Sequence, residues 1–293
     1  PVGTLLARFH CVARPRKLTE EQVQVAVARY IAGESCPLIA NDLGVVAEVI
    51  RRRVREAGVT RRLPTERNHT YSINDRYFDS IATEQQAYWL GFIAADGCVF
   101  GESRLQICLA QKDHCHLQRF LADLSGDHPI KNFNRDGRLK STVAIHQRRL
   151  VQGLRKLGIH PNKMLTLGWP NLNDRFLPHY MRGFFDGDGC FSIVRPKTRN
   201  GSRLVFSVVS HLDFAENYRA NLARHADLQV PKPRRSSCDA EIYYVQCGGT
   251  LKPLRFAHFL YAGATTYLPR KREVVRTFLR SRPDLAARYP DLL

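Results

Sequence analysis

The chain is short of acidic residues, of paired cysteines and of long apolar runs, and each shortage removes a class of function. Against 45 Lys+Arg there are 27 Asp+Glu, a formal net charge of +18. An excess of that size points to a polyanion or an acidic membrane surface as partner. No apolar stretch approaches the roughly 18 to 20 residues of a membrane span, and the first residues lack the basic-then-apolar layout of a signal peptide. A soluble, intracellular protein without a membrane partner is expected. The eight cysteines, Cys11, Cys36, Cys98, Cys108, Cys115, Cys190, Cys238 and Cys247, form no C-x-x-C pair. In an intracellular chain they are expected to be reduced thiols, several at core positions. His114-Cys115-His116 lacks a second ligand pair that would complete a zinc site.

What is present falls into segments. Residues 1–17 are basic and aperiodic, and read as an irregular arm. From Leu18 the pattern turns helical: Thr19 can cap, Glu20 and Glu21 suit a first turn, and Val23, Val27, Tyr30 and Ile31 share a face. Shorter helices are expected over Pro37–Leu43 and Val46–Ala57, with glycines Gly33, Gly44 and Gly58 as stops. Ala40 before Gly44 and Ile50 after it resemble a helix-turn-helix over 18–62, in which a small residue and a turn glycine let the third helix cross closely. Arg51, Arg52, Arg53 and Arg55 lie on that third helix and are candidate DNA contacts. Residues 63–84, polar and turn-rich, read as a linker with a Tyr/Phe patch for docking.

A repeat follows. Tyr88 to Phe100 reads YWLGFIAADGCVF and Tyr180 to Phe191 reads YMRGFFDGDGCF: an apolar run broken by small residues, closed by Asp-Gly, then a strand. After the first copy come strands at Cys98–Phe100 and Arg104–Gln111 and a helix near Asp113–Leu124. A hairpin across Asp136-Gly137 joins Ile130–Phe133 to Leu139–His146, and a helix covers Arg148–Leu157. The second copy repeats the order with strands at Cys190–Arg195, Arg203–Ser210 and Ile242–Cys247, and helices near Asp213–His225, Pro253–Tyr261 and Pro269–Ser281. The fold class is therefore α+β, with two pseudo-symmetric αββαββα halves over 85–172 and 173–293 behind a small all-α domain.

On the opening helices the small residues fall four apart, Gly91 and Ala95 in one, Gly183 and Gly187 in the other. Four apart is one face, so each helix offers a strip where another backbone can approach, and the two are expected to pack together. Glycine inside a helix costs roughly 1 kcal/mol relative to alanine, so a stripe of it calls for such a reason. Gly97 and Gly189 suit left-handed helix ends, which puts Asp96 and Asp188 in last turns. A carboxylate at the carbonyl end of a helix is disfavoured, and two such ends brought together repel. A divalent cation removes the conflict, and oxygen ligands beside phosphate suit magnesium.

WLGFIAADG and MRGFFDGDG resemble the two signature helices of a single-chain LAGLIDADG homing endonuclease, with the likeness running over about Ala87 to Leu279. The resemblance implies a monomer in which the final acids, Asp96 and Asp188, bind metal and each half cuts one strand of a long non-palindromic duplex, leaving short 3′ overhangs. Magnesium is the implied ion, manganese a substitute, and calcium supports binding without efficient cleavage. LQICLAQKD resembles the strand whose glutamine orders water, pointing to Gln111 with Lys112 beside it; the matching residue of the second copy is Ser210. Family lysines correspond to Lys163 and Lys271. Two curved sheets would follow the major groove, with Lys131, Arg135, Arg138, Lys140, Arg195, Lys197, Arg199, Arg203, Lys232, Arg234 and Arg235 as DNA contacts. Two other functions stay open: a DNA-binding transcription regulator that has kept the scaffold and lost the chemistry, and an RNA maturase.

Overall fold

A computed structural model of the chain describes residues 18–60, 71–195, 201–239 and 241–293. The expected basic arm and the first part of the expected linker lie outside these residues. The chain divides into two compact units, Pro1–Thr70 and Tyr71–Leu293.

In the first unit the described residues form α1 (Glu20–Ile31), α2 (Cys36–Asp42) and α3 (Ala47–Glu56). Thr19 and Gln22 cap α1 reciprocally, the Gln22 amide donating to Thr19 Oγ1 at 3.2 Å and the Thr19 amide to Gln22 Oε1 at 3.1 Å; two amides that the helix leaves unpaired are thereby satisfied. The Ser35 hydroxyl accepts from the Leu38 amide to start α2. Gly44, at φ +65°, makes the turn into α3, a conformation that L side chains resist. A small core of Ala26, Tyr30, Ile39, Ala40, Ile50 and Val54 joins the three helices.

The second unit is built around two helices, α4 (Glu84–Asp96) and α7 (Leu177–Asp188). After α4 come β1 (Gly97–Phe100), β2 (Arg104–Ala110), α5 (His114–Asp123), β3 (Lys131–Arg135), β4 (Arg138–His146) and α6 (Arg148–Lys156). After α7 come β5 (Gly189–Val194), β6 (Arg203–Ser210), α8 (Leu212–Ala226), β7 (Arg234–Arg235), β8 (Tyr243–Gly249), α9 (Leu251–Tyr261), α10 (Pro269–Arg280) and α11 (Pro283–Arg288). Two antiparallel sheets result, ordered β1-β2-β4-β3 and β5-β6-β8-β7. Each alternates in burial: Leu105, Ile107 and Leu109 of β2 and Leu204, Phe206 and Val208 of β6 face one continuous core that also takes in α4 and α7. No helix of the described residues is long and apolar enough to cross a membrane.

Four expectations need correction. Gly97 and Gly189 are extended, at φ −79° and −99°, not left-handed. Their reason is space: a Cβ on Gly97 would sit 2.7 Å from the Ile93 carbonyl oxygen, and one on Gly189 would meet the Phe185 ring. Residues 71–83 are no linker, since Tyr77 and Phe78 are buried in the large core and the Asn74 amide donates to the Leu124 carbonyl at 2.9 Å. Among the described cysteines Cys247 is buried, whereas Cys98, Cys108, Cys115, Cys190 and Cys238 are exposed; β1, β2 and β5 turn their thiols away from the core. Finally, α11 is a helix that the sequence pattern does not announce; it starts at a proline.

Candidate active site and nucleic-acid face

α4 and α7 pack along their stripes of small residues. A methyl group on Gly91 would collide with the Tyr180 carbonyl oxygen, and one on Gly183 with the Tyr88 carbonyl oxygen. The relation is reciprocal, as a pseudo-two-fold between the halves requires. At the far end a methyl on Gly187 would strike Ala95 and come within 3.4 Å of Asp96 Oδ2. The two helices therefore end side by side, each on its acid, with their partly negative carbonyl ends adjacent.

This crowding shows in the electrostatics. The Asp188 carboxyl is pushed up to about 6, first by the protein around it and then by the charge of Asp96, against the pull of Lys163 and Lys271. The residue is nonetheless exposed at its surface. Asp96 is also raised, by burial first and with Asp113 adding to it, while Lys271, Lys163 and Arg270 pull it down. Each acid has a lysine at its helix end. Lys163 Nζ donates to the carbonyls of Ala95 (3.1 Å) and Gly97 (2.7 Å). Lys271 Nζ donates to those of Phe185 (2.7 Å) and Gly187 (3.0 Å). Each ammonium thus neutralises carbonyls that a helix C-terminus leaves unpaired. Neither is a solvated surface lysine: Lys271 is buried, and burial brings its pKa down to about 8, while Lys163 is half-buried and likewise lowered by burial. Gln111 opens the 3-10 turn after β2, half-buried, and Lys112 beside it is exposed. The Ser210 hydroxyl at the matching place turns to its neighbour, the His211 carbonyl, at 3.1 Å.

Among solved structures, meganuclease I-SmaMI bound to an uncleavable DNA with a TTGT central four matches with a TM-score of 0.50 at 13% identity, covering 70% of this chain and 94% of that one. The I-LtrWI LAGLIDADG homing endonuclease bound to target DNA matches at 14% identity and a TM-score of 0.47, covering 73% and 93% of the two chains. No family model and no curated protein matches the sequence. The fold is the two-half LAGLIDADG fold.

On this LAGLIDADG scaffold the strand register decides which basic side chains share a face. In the first sheet Lys131 lies opposite Thr142, Phe133 opposite Lys140 and Arg135 opposite Arg138, while Lys140 in turn lies opposite Ala110. Directly opposed residues point to the same side, so Lys131, Arg135, Arg138 and Lys140 join Gln106 and Arg104 on the face away from the core. In the second sheet Arg203 lies opposite Val194 and Arg234 opposite Tyr244, on the outward face with Gln246. Arg235 pairs with Tyr243 on the other face. Arg195 and Lys232 are exposed beyond the ends of their strands; Lys197 and Arg199 lie outside the described residues. On α3, Arg51, Arg52 and Arg55 are exposed and Arg53 half-buried. Glu48 pairs with Arg51 at 2.8 Å and Glu56 with Arg53 at 2.7 Å, which dilutes their positive charge.

Sequence reasoning gave no role to three buried charged groups. Arg182 and Asp186 of α7 are both nearly inaccessible, and Asp113 is tied across the halves to Arg270 Nε at 2.9 Å. The signal was available for two of them: Arg182 and Asp186 stand four apart in an otherwise apolar helix, hence on one face.

Proposed function

We propose that the chain is a site-specific DNA endonuclease of the homing type. It acts as a monomer and uses a divalent cation to hydrolyse one phosphodiester in each strand of a non-palindromic duplex. The observation that carries this reading is the pair of acids at abutting helix ends, one from each half, each with a lysine beside it. The net charge of +18 suits the same partner as the I-SmaMI structure of like fold, which was solved on DNA.

The donor set fits a hard cation. Asp96 and Asp188 offer carboxylate oxygens, the donor type that such a cation takes. Magnesium, which keeps its waters and takes phosphate oxygens for the remaining positions, needs no more protein than this; manganese would serve in its place, with calcium supporting binding alone. Bound there, such an ion neutralises phosphate charge and makes water more acidic. The protein's own part is to present the acids together and to place Lys163 and Lys271 where negative charge develops on phosphate. Gln111 would hold attacking water in the first half. The outward faces would follow the groove through Lys131, Arg135, Arg138, Lys140, Arg195, Arg203, Lys232 and Arg234, with Lys112, Lys197, Arg199 and Arg235 as phosphate contacts. Arg51, Arg52, Arg53 and Arg55 of a helix-turn-helix would bind outside the central site and raise affinity by tethering.

The test is selection of cleaved duplexes from a randomised library, with magnesium or with calcium. Double-strand breaks are expected in magnesium and binding alone in calcium. Asp96→Asn and Asp188→Asn should bind the selected duplex yet cut at least about a thousandfold more slowly. Cleavage that survives both substitutions would sink the reading.

A further inference from the structure

Two buried ties cross the helix pair, and both reach the segment that carries Lys271. In the first, Glu84 of α4 accepts from Arg182 of α7 at 2.6 Å. Arg182 also donates to the carbonyls of Thr266 (2.8 Å) and Leu260 (3.0 Å). In the second, one turn on, Asp186 accepts from the Tyr88 hydroxyl of α4 at 2.8 Å and from the Tyr261 hydroxyl at 2.6 Å. It also accepts from the backbone amide of Leu268 at 2.6 Å. Leu268 is the N-cap of α10, and Lys271 stands in the first turn of that helix. The ring then closes, because Lys271 Nζ returns to the carbonyls of Phe185 and Gly187, on either side of Asp186.

The first half cannot build this ring. The residue of α4 corresponding to Asp186 is Ala94 and the one corresponding to Arg182 is Leu90, neither of which can accept or donate through its side chain. The consequence is visible at Tyr180, the counterpart of Tyr88: its hydroxyl is buried with no hydrogen-bond partner. Lys163 hangs from a short 3-10 turn, Lys163–Leu165, with exposed Met164 and Leu165.

We propose that Arg182 and Asp186 are positioning residues for Lys271, that the first half lacks their equivalent for Lys163, and that the two DNA strands are consequently cut at unequal rates, the Lys271-dependent strand faster. The proposal rests on the endonuclease reading for its kinetic part only. A buried, satisfied network holds a group in one geometry, and misplacement by about 1 Å can cost on the order of a hundredfold in rate.

The experiment has two arms. Without DNA, hydrogen exchange in Asp186→Asn should accelerate over residues 262–271 and stay unchanged over 158–167; equal change in both segments, or none in either, overturns the proposal whether or not the chain cuts DNA. With a selected duplex labelled on each strand, Lys271→Met first identifies the dependent strand. Asp186→Asn should then slow that strand about tenfold or more and leave the other within about twofold. A loss of folding would slow both strands alike, so equal slowing also counts against it. Should Asp186→Asn fail to fold, Tyr261→Phe removes one donor only and is expected to show the same strand bias more weakly, with no bias refuting it.

Discussion

The two halves of the large unit share an architecture and differ in how they hold their chemistry. Both end a motif helix on an acid, both start a strand at a glycine that has no room for a Cβ, and both cover the helix end with a lysine ammonium. In the second half that lysine is buried and sits on a helix pinned by a carboxylate; in the first it is half-exposed on a short turn, over a position occupied by alanine. The difference separates what the pseudo-symmetry demands from what it only permits. Close approach of the two helices demands matched small residues, because each backbone is the other's neighbour. The polar ring around Asp186 is an addition on one side, and the fold closes without its mirror image.

The sharpest test of the shared part is Gly91→Ala against Gly183→Ala. Each methyl would run into a backbone carbonyl, which cannot rotate away as a side chain can. Each is expected to destabilise the protein by about 3 kcal/mol or more, the upper range for overpacking, and by similar amounts. Urea unfolding of the two variants measures this, and a large disparity would show that the helices can slide in one direction.

Acid sensitivity should be unequal. Among the described residues the buried histidines, His116 and His128, both belong to the first half. Burial holds His116 down to about 3, with Arg270, Arg119 and Lys271 adding to the effect. A histidine depressed in the folded state is protonated more readily in the unfolded chain, so its contribution to stability is present above about pH 6.5 and is lost as pH falls toward 3. Asp188 and Asp96, both raised, work in the opposite direction, so the wild-type curve alone is ambiguous. The comparison to make is with His116→Gln, which keeps a donor for the Tyr88 hydroxyl. Between pH 7 and pH 5 the wild type should lose about 2 kcal/mol more than the variant. Parallel losses would mean that His116 is charged in the folded protein.

Much of this was legible in the chain, for reasons that can be traced. The alternation of Leu105, Ile107 and Leu109, the Asp136-Gly137 turn and the four-residue spacing of Gly91 and Ala95 are local patterns, and local patterns set strand, hairpin and helix face. Contacts set by tertiary approach were not legible. Lys163 lies far along the chain from the carbonyls of Ala95 and Gly97 that it covers, and nothing near PNKML announces them. Gly97 looked like a helix cap because Asp-Gly so often is one, whereas the steric demand comes from Ile93 one turn back. Tyr77 and Phe78 sat in a polar stretch that reads as a linker, yet two aromatic rings in sequence are material for a core. Arg182 and Asp186 carried a signal that was present and unused: charge inside an apolar helix must find a partner, and finding two such residues on one face foretells a network.

The smallest effect separates the halves most cleanly, since it concerns the same residue type at corresponding positions. Tyr88→Phe removes a hydroxyl that donates to Asp186 and bonds His116 Nε2 at 2.8 Å. It leaves a buried carboxylate one donor short and is expected to cost about 1 to 2 kcal/mol. Tyr180→Phe removes a hydroxyl that is buried without a partner. The desolvation that this group suffers on folding is relieved, so the variant should be neutral or more stable by up to about 1 kcal/mol. Thermal or urea unfolding of the two variants therefore gives opposite signs if the polar ring is one-sided. Equal destabilisation would mean that Tyr180 has found a partner where Ala94 offers none, and the first half would then hold its helix end by a route of its own.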